Sequence, residues 1–531
     1  MARRIVLTSI FIFLTVIGLL PILMMVLRSF VADERFSLLS YQGLLTSSRE
    51  WVLLSHSFAL ALSVAFLTTI VGVPLGILLG KTDLPLRRFF AIAFTVPLVI
   101  SPYITAVGWA DFFGGDGVFA NVAGATVAQA AYQFLFGLAG CVLVLFSTFL
   151  PIAILLTITA LRTVNPRLEE AGKIVTGWSG VLSRVTIPLI IPTISLASIL
   201  TFLLTIGEFG VPNFLRYDVF AVESFVQFSA FYNFEAATAA AVPLAVITSG
   251  VLLLEWFFFR ERIHQVQTFS DRTALPLIEL GKFRVWMFSF VALLCIIVVI
   301  VPLIVLIARS SSVSEYVAAL KVASDSLLRS LLYAALGACL LTLIGFFSGY
   351  LIHHQAMSFW RTTDTLTIFL FALPSTVIGI GLISMWNRPW TNFVYGTSAM
   401  IILGYLVKYT ALTSRITAST LMLIPNSMEE AGQVAGLAWM RRIRTIVTPM
   451  AKKGILVSWL VGYIFCLRDL ETTMIVYPPG HETLPVRIAT LMANGSAELI
   501  AALCVIMVCA TILPPAFLWM LSSLRIRNLK Q

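Results

Sequence analysis

The chain has 531 residues, of which 59% are hydrophobic and 11% charged, with a mean hydropathy of +0.98 and a formal net charge of +10. A soluble protein carries about a quarter charged residues, so this composition excludes an ordinary soluble domain. It fits an all-α, polytopic membrane protein with the lipid bilayer as its surroundings, and no nucleic acid is implied by the positive charge.

The N-terminus, Met1-Ala2-Arg3-Arg4, leads into an apolar stretch from Ile5 to Leu27. A secretory signal has a shorter apolar region and a small-residue cleavage site, so this stretch reads as an uncleaved first span. Apolar runs long enough to cross the ~30 Å hydrocarbon core as helices then recur. Six spans are predicted near 5–27, 53–80, 89–110, 134–161, 188–207 and 236–258. Six more are predicted near 284–308, 328–352, 366–386, 397–424, 454–467 and 497–521, about twelve in all. A polar segment with Arg260, Arg262, Arg272, Lys282 and Arg284 divides the halves. The predicted domains are therefore 1–259, a linker at 260–283, and 284–531. With the N-terminus in the cytoplasm, inside segments hold 24 Lys and Arg and outside segments 10, with Lys408 inside a span. That bias places both termini and the linker in the cytoplasm.

The halves repeat. Gly72 and Gly76 recur as Gly345 and Gly349; Phe94, Pro97 and Trp109 recur as Phe371, Pro374 and Trp386; Glu170 and Pro188 recur as Glu430 and Pro449. Each repeat holds an even number of spans, so both insert the same way. This is a parallel repeat of two six-helix units about an axis along the membrane normal.

Two polar, helix-forming islands stand out. One runs Asn165-Pro166-Arg167-Leu168-Glu169-Glu170-Ala171-Gly172 to Pro188; the other runs Pro425-Asn426-Ser427-Met428-Glu429-Glu430-Ala431-Gly432 to Pro449. Asn165 before Pro166, and Asn426-Ser427 before the acids, are helix-start signals. Glycine inside a helix costs about 1 kcal/mol against alanine, so its use in both copies predicts a close approach to that face. Both islands resemble the EAA loop of bacterial ABC importer permeases: Glu-Ala-Ala, three residues, Gly, nine residues, Ile-x-Leu-Pro. The second copy matches at Glu430, Ala431, Gly436, Ile446 and Pro449, with Gly432 and Thr448 as substitutions. The first is one residue shorter between Glu170 and Pro188; Thr176, followed by Gly177, stands where the glycine falls, which leaves its inner turn open.

The resemblance implies a fused, two-repeat permease like those for ferric iron and thiamine. Its ATPase-coupling residues would be Glu169, Glu170, Ala171 and Gly172, and Glu429, Glu430, Ala431, Gly432 and Gly436. It further implies two cytoplasmic ABC ATPase subunits, which would bind ATP and Mg, and an extracytoplasmic substrate-binding protein, all at a bacterial inner membrane. The chain itself is expected to carry no catalytic residues, no cofactor and no metal site. Gly80-Lys81-Thr82 lacks the upstream glycine of a phosphate-binding loop; the six cysteines have no metal spacing; adjacent His353 and His354 point apart on a helix.

Ionisable residues at membrane depth are costly and are default functional candidates. Lys408 in span ten has Thr148 at the equivalent place and is either a structural partner or a substrate contact. Glu208 and the cluster Arg468, Asp469, Glu471 follow spans five and eleven; Glu208 and Asp469 are equivalent and are expected at the outer mouth of a central path. The bland alternative is that each pairs with a nearby arginine and holds a loop. Trp109 and Trp386 are expected at the outer interface as belt anchors, with a gate role as the alternative. The stretch Tyr477 to Arg487 resembles an outer loop of the ferric-iron permeases, which puts ferric iron first as cargo, with thiamine, a polyamine or a phosphonate as alternatives. A secondary transporter would use the repeats but has no need of two matched loops.

Overall fold

The computed structural model describes residues 2–32, 35–36, 39–114, 119, 125–231, 234–266 and 277–528. Linker residues 267–276, Arg272 among them, and Lys530 lie outside that set. The chain is an all-α polytopic membrane protein. Among the described residues nine helices are long and apolar enough to cross a membrane, and eleven when each of two bent pairs counts as one. The segment expected at 397–424 is the helix Ala399–Leu421, which carries Lys408 and Arg415.

Spans three and nine, expected as single helices, are broken. Arg87–Val99 meets Pro102–Phe113 at 99°, and Trp360–Ala372 meets Ser375–Trp386 at 107°. Proline explains both breaks. Its ring excludes the preceding residue from helical dihedrals and its nitrogen donates nothing. Ser101, before Pro102, has φ −62°, ψ 135°, and Leu373, before Pro374, has φ −66°, ψ 140°. Span eleven, expected as short, is part of a helical run from Trp439 to Arg468.

Prolines also shape four other spans. A five-residue π-helical turn occupies Thr15–Leu19, Leu182–Thr186, Ile296–Ile300 and Ile443–Val447. Each ends two residues before a proline: Pro21, Pro188, Pro302 and Pro449. In a regular helix the proline ring clashes with the carbonyl four residues earlier. That carbonyl lies inside the widened turn in all four cases, so the helix passes the proline without a break.

Two compact units result. One comprises Met1–Ser47, Glu223–Ala245 and Ser312–Gln531; the other comprises Ser48–Val222 and Val246–Ser311. They do not follow the boundary between the sequence repeats, because each includes the first span of the other half. In the first unit Leu20–Arg28 packs on Ser375–Trp386, where a Cβ on Gly381 would lie 3.4 Å from the Pro21 backbone. In the second, Val301–Arg309 packs on Pro102–Phe113, where a Cβ on Gly108 would lie 2.8 Å from the Pro302 carbonyl.

The repeated glycines mark the equivalent close contact within each unit. Gly76 of Ser48–Lys81 faces Thr157 of Leu138–Leu161; Gly349 of Val313–His353 faces Thr417 of Ala399–Leu421. Thr157 and Thr417 are themselves 260 residues apart. A Cβ on Gly349 would sit 2.5 Å from the Ser414 carbonyl oxygen, which is backbone and cannot turn aside. Gly349→Ala is therefore expected to lower stability by about 1–3 kcal/mol through overpacking. Gly250→Ala, inside a helix where nothing lies within 4 Å, should leave it unchanged or raise it by up to about 1 kcal/mol; thermal unfolding of the purified chain in detergent compares the two.

Candidate functional site

The first loop helix, Pro166–Val181, starts as its sequence dictates. Asn165 caps it, its Oδ1 accepting the Arg167 N–H at 3.0 Å, and Pro166 fills the first turn. Glu169 then turns inward and is fully buried. Its Oε1 accepts hydrogen bonds from the Thr186 hydroxyl at 2.7 Å and from the Lys81 ammonium. Lys81 is the last residue of Ser48–Lys81 and is also fully buried, its Nζ 6.0 Å from the Trp178 ring centroid. A cation ending one helix and an anion opening another both complement the helix dipoles. The backbone behind Lys81 is held as well: its carbonyl accepts the Ile278 N–H at 2.9 Å, and Asp83 Oδ1 accepts the Leu280 N–H at 2.9 Å. The inner turn falls at Gly177, with φ +69°. The chain doubles back there, and a Cβ on Gly172 would lie 3.1 Å from Val181.

The second loop helix, Asn426–Val434, repeats the plan with different side chains. The start signal expected from Asn426-Ser427 is not used: Pro425 occupies the cap position and no side chain caps the helix, because Asn426 already lies within its first turn. Glu429 is the inward acid. Its Oε1 accepts the Tyr350 hydroxyl at 2.7 Å and lies 3.8 Å from Arg442 Nη2, while its Oε2 lies 3.5 Å from His354 Nε2. Trp439 Nε1 donates to the Tyr350 hydroxyl at 3.2 Å. Burial pushes the His354 imidazole below its ordinary range, against the opposing pull of Glu429. Gly436, with φ +76°, makes the turn, and a Cβ on Gly432 would lie 2.6 Å from Ile446.

The inward pair Glu169/Glu429 is held inside its own unit, whereas Glu170, Ala171, Glu430 and Ala431 are exposed. Sequence reasoning missed what holds the inward acids. The signal was present: Lys81 and His354 are 273 residues apart, the spacing of Gly72/Gly345 and Gly76/Gly349, and Trp178/Trp439 share the 261 spacing of Pro188/Pro449.

The residues proposed for a path are buried or half-buried and engaged. Glu208 Oε1 accepts the Val211 N–H at 3.2 Å, at the start of the short helix Gly210–Phe214. Asp469 accepts the Tyr409 hydroxyl at 2.7 Å, the Thr473 N–H and hydroxyl at 3.0 Å, and the Thr472 hydroxyl at 3.1 Å, at the start of Glu471–Val476. Each thus ties a long span to the short helix after it. Lys408 Nζ donates to Ser375 Oγ at 2.6 Å and to the Leu373 carbonyl at 3.3 Å, and Ser375 Oγ donates to Glu471 Oε2 at 2.7 Å. Lys408 therefore serves the carbonyl exposed where span nine breaks, a site suited to a cation. Arg468 lies 4.6 Å over the Phe465 ring. Trp109 is 3% exposed and stacks on Phe113 at 5.6 Å, which does not fit the belt position expected for it; Trp386 is half-buried.

No protein-family model matches the chain. The Fe(3+)-transport system permease protein FbpB 2 of Haemophilus influenzae is 24% identical over 486 residues, 88% of this chain and 89% of that one. The ferric transport system permease protein FbpB of Actinobacillus pleuropneumoniae is 20% identical over 466 residues, 84% of this chain and 66% of that one. The chain is similar to ABC importer permeases. A further relative, the Salmonella typhimurium permease protein PhnV, named for 2-aminoethylphosphonate transport, is 23% identical over 189 residues, 36% of this chain and 71% of that one. PhnV is about half as long as this chain, the length of one repeat. The ferric-transport permeases match it across most of both repeats.

Lys408→Met removes the donor from the Leu373 carbonyl and from Ser375. It is expected to cost about 1–3 kcal/mol for the buried groups left unsatisfied. Thr148→Ala, at the equivalent place, loses only a hydroxyl bonded to its own helix at the Val144 carbonyl and should cost less. Thermal unfolding of both variants in detergent measures the difference.

Proposed function

We propose that this chain is the membrane-spanning subunit of an ATP-driven, binding-protein-dependent importer of the bacterial inner membrane, with both loop helices and both termini in the cytoplasm. One observation carries this reading. The two loops expose the same pair one turn apart on one helix face, Glu170 with Ile174 in one and Glu430 with Val434 in the other. Ile174 is 87% exposed and Val434 90%. An apolar residue one turn from an acid, exposed on a polar loop, suits a protein partner, and its duplication suits two copies of that partner. The partners are two ABC ATPase subunits, which bind ATP and Mg and hydrolyse it; this chain is not an enzyme.

The geometry supports a route of transmission. Behind each loop the chain runs as one helical rod, from Trp178 beyond the Gly177 turn to Ile206 in one case and Trp439–Arg468 in the other. Motion of a docked loop is carried along its rod to Glu208 or Asp469 and so to the short helix that each one holds. We assign these two carboxylates, with Lys408, Arg468, Glu471, Trp109 and Trp386, to the substrate path. The cargo proposed is ferric iron delivered by a binding protein, supported by the names of the relatives that match most of the chain. The PhnV match favours a phosphonate as the second reading.

Charge reversal at either outward acid, Glu170→Lys or Glu430→Lys, should abolish uptake while the chain still reaches the membrane. Normal stimulation of ATP hydrolysis by the binding protein in both variants would refute the docking role. Native mass measurement should find one copy of this chain with two ATPase subunits; two copies would contradict the fused arrangement. ATP-dependent uptake into proteoliposomes should be seen with radiolabelled ferric iron, and uptake of 2-aminoethylphosphonate in its place would reassign the cargo.

A further inference from the structure

The loop helices are short, and a helix of nine residues is marginal in isolation. Something must fix which side faces out. Successive residues on a helix are about 100° apart, so holding Glu169 or Glu429 inward turns Glu170 or Glu430 outward. We propose that Lys81 and its repeat counterpart His354 are positioning residues of the coupling step: each, from the end of a span, grips the inward glutamate of a loop helix and so aims the outward acid at the partner. The proposal rests on the reading of these loops as docking helices.

The two grips are unequal. Glu169 is held through Oε1 by Lys81 and Thr186, while its Oε2 is buried without a hydrogen bond. Lys81 supplies the only cation paired with Glu169 among the described residues. Glu429 shares its load among Tyr350, Arg442 and His354. The first loop therefore depends on one cation and one hydroxyl, both at the same oxygen, and the second is held by three side chains. A buried ion pair adds little net stability, and replacing both partners by neutral residues of similar shape is often tolerated, whereas removing one is costly. Fixing the orientation of the loop is a role that such a pair fills without contributing much to stability.

The test uses the full chain assembled with its ATPase and binding protein. The double variant Lys81→Met/Glu169→Gln removes both charges and keeps the shapes. It should accumulate and assemble. Amide exchange in residues 166–176 should quicken about tenfold as the local opening energy falls. The ratio of binding-protein-stimulated to unstimulated ATP hydrolysis should fall about fivefold or more, the scale of a lost coupling energy; a purely structural role would not move that ratio. His354→Gln should produce the smaller loss, at residues 426–434. Should the double variant fail to accumulate, Thr186→Val removes the second donor at constant shape and should shift exchange and ratio in the same directions. Unchanged exchange or an unchanged ratio in the variant measured overturns the proposal, as does an equal or larger loss in His354→Gln. A wild-type chain that recruits no ATPase overturns the docking reading and this proposal with it. A wild-type chain that couples, beside a variant that couples equally well, overturns this proposal alone.

Discussion

A helix in hydrocarbon has no water to satisfy a freed backbone group, so every proline in a span must be accommodated within the protein. Six of this chain's prolines are met in one of two ways that shape the architecture, while Pro74, Pro151, Pro192, Pro243, Pro514 and Pro515 lie inside α-helices. Where Pro21, Pro188, Pro302 and Pro449 occur, one widened turn absorbs the ring and the helix continues. Where Pro102 and Pro374 occur, the helix breaks and turns through 99° and 107°. Two of the continuous helices, with Pro188 and Pro449, form the rods behind the loops, and the other two are the first spans of the two halves. The broken ones expose carbonyls at membrane depth, and in one unit that exposure is met by Lys408.

The halves share a backbone plan but not their chemistry. Gly76 with Thr157 and Gly349 with Thr417 set the same approach of two spans, and the loops turn at Gly177 and Gly436. Around that frame a lysine stands where the other half has a histidine, and Thr148 stands where the other half has Lys408. Steric requirements on the backbone recur because no other residue type meets them. Polar partners have several solutions, and the two halves have adopted different ones.

That distinction also explains what was legible in the sequence. The all-α polytopic plan and the two loop helices could be read because apolar length, glycine and proline act locally. The bends at spans three and nine were signalled by Pro102 and Pro374 but hidden by uninterrupted apolar character. The exposed Glu170 and Glu430 were identified from the loop pattern, whereas Lys81, Thr186, Tyr350 and His354 were not. They reach the inward acids from elsewhere in the chain, and only the spacing of the repeats connects them. Glu208 and Asp469 were legible as equivalent carboxylates. Their work at the start of the next helix was not, because it depends on hydrogen bonds to Val211, Tyr409, Thr472 and Thr473.

The exchange of first spans bears on how the molecule is made. Leu20–Arg28 leaves the ribosome about 350 residues before Ser375–Trp386, the helix on which it packs. At roughly 5–20 residues per second that interval is on the order of 20–70 s. For that time the first span rests in lipid without its native neighbour, and the second unit stays incomplete until Val301–Arg309 arrives. The unit closed by Val301–Arg309 has all its residues once Ser311 is made, whereas the unit that holds the first span waits for the rest of the chain, so a ribosome that stalls between the two leaves that span without its neighbour.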